Sequence, residues 1–372
     1  MRAMKPRHLF VALAATGVAL TGCAQTIAPH GRPGVPAATS PSLPAATDSR
    51  PLRPLTPVRP TGQFTFALAG DVNFAERTGA RLARNPLTAF GVASQQLRRT
   101  DLTMVNLETA IAVGGRPEIK PYTFQAPPTA LTALRAAGVD LATMANNHAA
   151  DYGTPGLQQT LDAIATSHFP VIGIGTNASQ AYMPYTTTVN GVPIAVVAAS
   201  QVRDETLAHF TAGPDTPGIA NAYSTELVQA VRAAQAAGYV VIVYVHWGTE
   251  YTRCPNAHQR ALQQLLVDAG ASAVVGTHAH LLQGAGWRSD GRYVAYGLSN
   301  YLWWRSYGNE EDDNGVLTLT FTGARVTAAQ FAPAHLDETG VPVPATATQA
   351  DRINAEWERA RHCAGLAAQP PN

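Results

Sequence analysis

The sequence predicts an α/β sandwich with mixed sheets, and three observations lead to it. Short apolar runs of strand length alternate with stretches of helical spacing, and a hairpin signal follows. Asp, Glu, Asn or His stands directly after one apolar run after another, which is where ligands gather in sheets flanked by helices. Roughly 300 residues remain once an N-terminal leader and stalk are set aside, a length compatible with one large domain.

The folded part is expected to span residues 62–335. It opens with the run FTFALA at 64–69, a buried strand that leads into Gly70-Asp71. A second short strand, 102–107, ends at Glu108. Residues 128–137 have helical spacing and stop at Gly138. A strand at 141–144 leads into Asn146-Asn147-His148, and a helix near 155–167 leads to a strand at 171–174. Strands at 186–189 and 193–199 flank Asn190-Gly191, a strong signal for a tight hairpin. A helix at 225–237 precedes the strand 240–245, which ends at His246. Another helix near 256–269 precedes the run 273–275 and the pair His278 and His280. Two β segments, 293–297 and 316–321, close the core. Residues 336–372 read as a C-terminal tail with a short helix at 351–362.

The N-terminus reads as an export signal. Arg2, Lys5 and Arg7 precede the apolar stretch 9–20, which is short for a bilayer span. It ends in Leu20-Thr21-Gly22-Cys23, which resembles a bacterial lipobox. On that reading residues 1–22 are removed, Cys23 is lipidated, and the protein is exported and anchored to the outer face of the cell membrane. An ordinary signal peptide with an incidental cysteine is the other reading. Residues 23–61 are rich in Pro, Ala, Ser and Thr, bury too little apolar surface to fold, and read as a linker. A formal net charge of +1 offers no basic surface for nucleic acid. Cys254 and Cys363 remain. In an oxidising location they read as a disulfide that ties the tail to the domain, or else as two free thiols.

Asp71, Glu108, Asn147 with His148, His246, and His278 with His280 all follow strand-like runs. Each has a bland reading: a turn aspartate, a helix-capping asparagine, a packed imidazole. Together they bring carboxylates, an amide and imidazoles to one rim, a donor set for divalent metals. A loop after the strand 273–275 lets both imidazoles of the His-x-His pair converge.

The motifs ALAGDV, VNLETAI, MANNHAADYG, VHWGTEY, VGTHAHLLQG and YGLSNYLW occur in that order. They resemble the CapA family of capsule (poly-γ-glutamate) synthesis proteins, a branch of the calcineurin-like metallophosphoesterase superfamily, over residues 64–333. The resemblance implies a four-layered α/β sandwich of the metallophosphoesterase type. It also implies two divalent metal ions (manganese, zinc, iron or magnesium) at the strand ends. Asp71 would bind the first ion and Glu108 would bridge both. Asn147, His246 and His278 would hold the second, and His280 would join Asp71. His148 matches the acid or phosphate-contacting residue. Asp151 would orient that imidazole, or would be a helix N-terminal aspartate instead. Asn73 stands where the superfamily pattern has His, which weakens the first ion's ligand set and turns it toward manganese or magnesium.

The expected substrate-facing set is Asn73, Glu250, Tyr251 and Asn300. For Glu250 and Tyr251 the alternative is packing below the site, and for Asn300 it is loop support. Lys120, Arg253 and Arg305 are candidates for holding an anionic polymer, against the ordinary reading as solvated charges. Trp303 and Trp304 form an aromatic wall or simply pack. The residues favour a metal-dependent hydrolase acting on a phosphoester or an anionic cell-surface polymer, while the family name implies the accessory role. A non-catalytic accessory that works with membrane polymer-synthesis machinery is the alternative.

Overall fold

The computed structural model describes residues 61–371. The expected signal peptide, Cys23 and nearly all of the linker lie outside the described residues.

In chain order, β1 (Gln63–Val72), β2 (Leu102–Leu107), β3 (Leu141–Thr143) and β4 (Val171–Ile172) are successive parallel neighbours. Then come β5 (Tyr185–Val189), β6 (Val192–Ser200), β7 (Val240–His246), β8 (Ala273–Thr277), β9 (Ala285–Trp287) and β10 (Tyr293–Ala295). These six form a sheet in the order β9-β10-β8-β7-β6-β5. The chain returns to the first sheet through β11 (Asn300–Leu302), β12 (Asp313–Thr322), β13 (Arg325–Leu336) and β14 (Pro342–Pro344). That sheet has eight strands, ordered β14-β13-β12-β1-β2-β3-β4, with β11 also paired to β1. The fold is a mixed α/β arrangement of several sheets, two of them large.

Strand period explains where the core lies. In β1, Phe64, Phe66 and Leu68 share one apolar cluster with Ile194, Ile242, Tyr244 and Val275 of the second sheet. The alternate residues Ala67 and Ala69 belong to a different cluster, with Leu131 and Leu134 of helix α2 (Thr129–Ala137) and Leu157 and Leu161 of α3 (Gly153–Ser167). In this numbering α1 is Glu76–Arg84. On the second sheet's far side, Val241, Val243 and Val245 pack with Leu227 and Val231 of α4 (Thr225–Ala236) and Leu262 and Leu266 of α5 (Ala257–Asp268). Every residue of β7 is buried, as its unbroken apolar run requires. Asn190 and Gly191 turn with φ 49° and 78°, the positive pair that a two-residue hairpin demands.

Two differences from the sequence reading concern elements. The strand β13 runs for 12 residues although Pro333 and its irregular mixture of exposed, half-buried and buried side chains hide it. The segment from 336 onward is part of the packed body. Its β14 pairs with β13, and helix α6 (Ala347–Ala364) buries Ile353 and Trp357 among the inter-sheet residues. No helix among the described residues is long and apolar enough to cross a membrane.

Candidate metal centre

Five strand ends supply the candidate residues. Asp71 lies near the end of β1, Glu108 just after β2, Asn147 and His148 beyond β3, His246 at the end of β7, and His278 and His280 after β8. Asp71 and Glu108 have no exposed surface, whereas His148 and His280 keep 7 % and 8 %. The result is a well with the carboxylates and His246 at its base and His148 and His280 nearest its mouth.

Contacts join the two sheets here. His246 Nε2 donates to Asn147 Oδ1 at 2.7 Å, and Thr277 Oγ1 donates to Asp71 Oδ1. Glu108 Oε1 lies 3.8 Å from both His148 Nε2 and His246 Nε2. Asp71 Oδ2 lies 3.8 Å from His280 Nδ1. Two triads offer ligand atoms all within 4.8 Å of one another: Glu108, His278 and His280, and Asp71, Glu108 and His246. They divide the histidines differently from the expected ligand sets, which put His246 with His278 and His280 with Asp71. The Asn147–His246 and Asp71–His280 contacts suit the expected division. Glu108 belongs to both triads, the position a bridging carboxylate would hold.

The His-x-His turn carries local strain. His278 and His280 have φ of 97° and 53°, in a region that L residues seldom occupy. Tyr251, at φ 59°, braces the turn by donating its N–H to Ala279 O at 2.8 Å. On the other side Gly70 admits the strand β11: a Cβ there would stand 1.8 Å from Ser299 O. That close approach sets Asn300 opposite Asp71 in parallel register.

His148 Nδ1 donates to Asp151 Oδ2 at 2.7 Å. Asp151 also accepts the Phe124 N–H at 2.6 Å and Lys120 Nζ at 2.9 Å. Its oxygens are therefore committed to the imidazole and its surroundings rather than to a helix end. The Lys120 side chain is 5 % exposed and also pairs with Asp204 at 3.3 Å, so it is a buried brace and not a solvated polymer contact.

Two residues of the expected substrate-facing set are buried and hydrogen-bonded within the protein. Asn73 is fully buried, with Nδ2 donating to Glu108 O at 2.9 Å and Oδ1 accepting from Ala75 N at 2.8 Å. Its amide is spent on fixing the backbone that carries Glu108. Asn300 is also buried, and its Oδ1 accepts from His280 Nδ1 at 2.7 Å. It orients an imidazole, as hydrogen-bonded partners of metal-ligating histidines do. Glu250 is exposed, and the half-exposed Tyr251 has its ring 6.0 Å from that of His280, so both stand at the mouth of the well. Cys254 and Cys363 are joined, with 5.8 Å between their Cα atoms. Arg253 is neutralised by Glu310 and Glu356.

Sequence reasoning missed Asn106. Its Nδ2 donates to Asp71 Oδ1 at 2.7 Å and lies 3.3 Å from Glu108 Oε2 and His246 Nδ1, while its Oδ1 accepts from Asn146 at 2.9 Å. The available signal was an amide inside the apolar run of β2, two residues before Glu108.

Burial sets the charge state. It pushes the Asp71 carboxyl up, with His280 pulling the other way, and Glu108 well up, with the Asp71 charge as the second cause. His246 and His278 fall well below the ordinary imidazole value, through burial first and neighbouring imidazoles second. His148 falls as well, burial outweighing Asp151. Neutral imidazole is the form that ligates a divalent cation, and a cation would offset two carboxylates buried side by side. Glu108 Oε1 and His278 Nδ1 are buried without any hydrogen-bond partner among the described residues. Orphaned acceptors inside a ring of donors suited to metal fit such an ion.

The fold and the buried carboxylate–imidazole cluster thus define a mixed α/β protein with a candidate dinuclear metal centre. Residues 65–303, more than half of the chain, match the family described as "Bacterial capsule synthesis protein PGA_cap", and the chain belongs to that family. It is 33 % identical over 169 residues to the "PGA biosynthesis protein CapA" of Bacillus subtilis (strain 168), covering 45 % of this chain and 43 % of that protein. With the "Capsule biosynthesis protein CapA" of Bacillus anthracis it shares 26 % identity over 279 residues, covering 70 % and 67 %. A "Probable polyglutamine synthesis accessory protein" of Mycobacterium tuberculosis (strain ATCC 25618 / H37Rv) is 27 % identical over 227 residues, 57 % of this chain and 59 % of its own. The chain therefore matches less than half the length of the B. subtilis relative. A solved structure of a hypothetical protein from Thermus thermophilus superposes with a TM-score of 0.47 at 18 % identity, covering 73 % of this chain and 99 % of that one.

Proposed function

We propose that this protein is a lipid-anchored, exported hydrolase on a four-layered α/β sandwich of the metallophosphoesterase type. It would use two divalent ions to cleave a phosphoester or a linkage in an anionic cell-surface polymer of the capsule or poly-γ-glutamate kind. In this reading residues 1–22 are the signal peptide, Cys23 carries the lipid, and 23–61 hold the body away from the membrane. The observation that carries the proposal is the convergence of Asp71, Glu108, Asn147, His246, His278 and His280 from five strand ends, with Glu108 Oε1 and His278 Nδ1 unpartnered.

Two adjacent divalent cations, when bound, supply an activated water and a positive clamp for the oxygens of the group under attack. Glu108 would hold the pair together from the base of the well, and Asn300 would keep His280 turned toward it. His148 has its Nδ1 proton committed to Asp151, and its Nε2 faces the Glu108 side of the well. A second proton on Nε2 makes an imidazolium that burial disfavours and Asp151 partly offsets, which makes it a ready donor of that proton to a leaving oxygen.

The test is His148→Ala. Turnover of a generic phosphodiester with manganese falls by about 10²- to 10⁴-fold, the usual contribution of a positioned acid, while metal content stays at the wild-type level. Undiminished turnover removes His148 from the chemistry.

One observation favours the accessory reading. Asn73 spends its amide on backbone, so the first ion lacks a ligand at that position. An accessory protein would keep its polymer-handling role in the His148→Ala form.

A further inference from the structure

Arg305 closes the run Trp303-Trp304-Arg305 that follows β11, and its surroundings are unlike those of the other arginines near the well. Its guanidinium carbon lies 4.4 Å from the ring centre of Trp304, 4.3 Å from that of Tyr307 and 5.6 Å from that of Tyr122. Arg253 is taken by Glu310 and Glu356, and Arg352 by Asp313. Arg305 has no carboxylate within ion-pair distance among the described residues, and its Nε is buried without a hydrogen-bond partner.

The loop that carries it is fixed. Buried Asp312 accepts from Ser306 Oγ at 2.7 Å, Tyr307 N at 2.8 Å and Gly308 N at 2.6 Å. Cation–π contact with the rings holds the guanidinium in place, and its buried Nε is left to meet a partner. The cluster also borders the well. Trp304 lies 5.9 Å from Phe124, and Phe124 lies 4.5 Å from His148, ring centre to ring centre. Trp303 lies 5.1 Å from His280.

We propose that Arg305 is a carboxylate-binding subsite that holds the polymer unit next to the one being cleaved. This rests on the polymer-hydrolase reading above. The ring of Phe124 separates the cluster from His148, so its ligand belongs to the neighbouring unit and not to the reacting group. A planar guanidinium edge matches a planar carboxylate with two parallel hydrogen bonds. The cluster contains one cation, which balances the single negative charge of a carboxylate. A terminal phosphate would bring a charge of about −1.5 to −2, while an internal phosphodiester also carries a single charge and is told apart by its tetrahedral rather than planar oxygens.

The test measures binding of a fluorescein-labelled γ-linked glutamate octamer to the full-length protein by anisotropy, with chelator present so that turnover plays no part. Arg305→Met keeps the apolar stem between the rings, and Arg305→Lys keeps the charge without the fork. The expected result is binding weakened by about tenfold or more in Arg305→Met, only partial recovery in Arg305→Lys, and unchanged melting temperatures in both. Equal binding by wild type and Arg305→Met overturns the subsite, as does tighter wild-type binding to a glycerol-phosphate octamer or no binding to either. Manganese-dependent phosphodiester turnover, run in parallel, separates the two proposals. Turnover without Arg305-dependent binding removes the subsite alone. Arg305-dependent binding without turnover removes the hydrolase reading and leaves Arg305 as a carboxylate-binding site with no cleaved unit beside it.

Discussion

A polar side chain inside an apolar strand costs burial energy unless its hydrogen-bonding groups are met, and Asn106 meets its own at both ends of the amide. Through Nδ2 it holds Asp71 and stands beside Glu108 and His246, so one amide sets the spacing of three candidate ligands. Loss of a partner that orients ligands typically lowers metal affinity about 10- to 100-fold. Asn106→Ala is expected to weaken manganese binding by that factor in a calorimetric titration, and an unchanged affinity would show that the carboxylates hold their spacing without it. The deep residues were partly legible. Asp71, Glu108 and His246 stand after apolar runs and could be picked out, whereas Asn106 lies within one. Lys120 could not be read as a brace, because its partner Asp204 is 84 residues away. Nor does a sequence show that His278 and His280 take positive φ.

At the scale of elements, the loop after β7 and helix α6 are tied together. Cys254 lies three residues beyond Tyr251, which braces the His-x-His turn, and its partner Cys363 sits near the end of α6. The bridge closes a loop of 109 residues, and in the chain-entropy model a loop of about that size contributes roughly 4 to 5 kcal/mol of stability. Replacing both cysteines by serine is expected to lower the unfolding free energy by about that amount, with a correspondingly lower denaturation midpoint, and to loosen metal binding. A denaturation midpoint equal to wild type would mean that packing of α6 alone secures the loop. Most elements were legible because their period is clean: β7 is an unbroken apolar run, and Asn190-Gly191 announces its turn. The strand β13 was not, since its register depends on pairing with β12 and not on its own pattern. The same holds for β14 and α6, whose place in the body is set by contacts with β13 and the inter-sheet residues.

The whole molecule couples metal, proton and fold. Asp71 and Glu108 have folded pKa values raised above their unfolded ones, so protons compete with cations for these oxygens until the pH passes the raised values. His246 and His278 are depressed below the ordinary 6.5 and stay neutral above it, so they add no competition near neutrality. The sign is therefore fixed: metal binds more tightly as pH rises. The stabilisation from added manganese follows the affinity, so the manganese-induced rise in melting temperature should grow from pH 5.5 to pH 7.5. A rise that shrinks over that range would show that the carboxylates are not the ligands.

The central claim is that residues from both sheets form one dinuclear centre, and metal stoichiometry tests it most directly. Elemental mass spectrometry of the purified protein after incubation with manganese is predicted to give about two ions per chain. The His246→Ala/His278→Ala variant should fall to about one or below. Fewer than one ion in the wild type, or the same content in the double variant, would contradict the account.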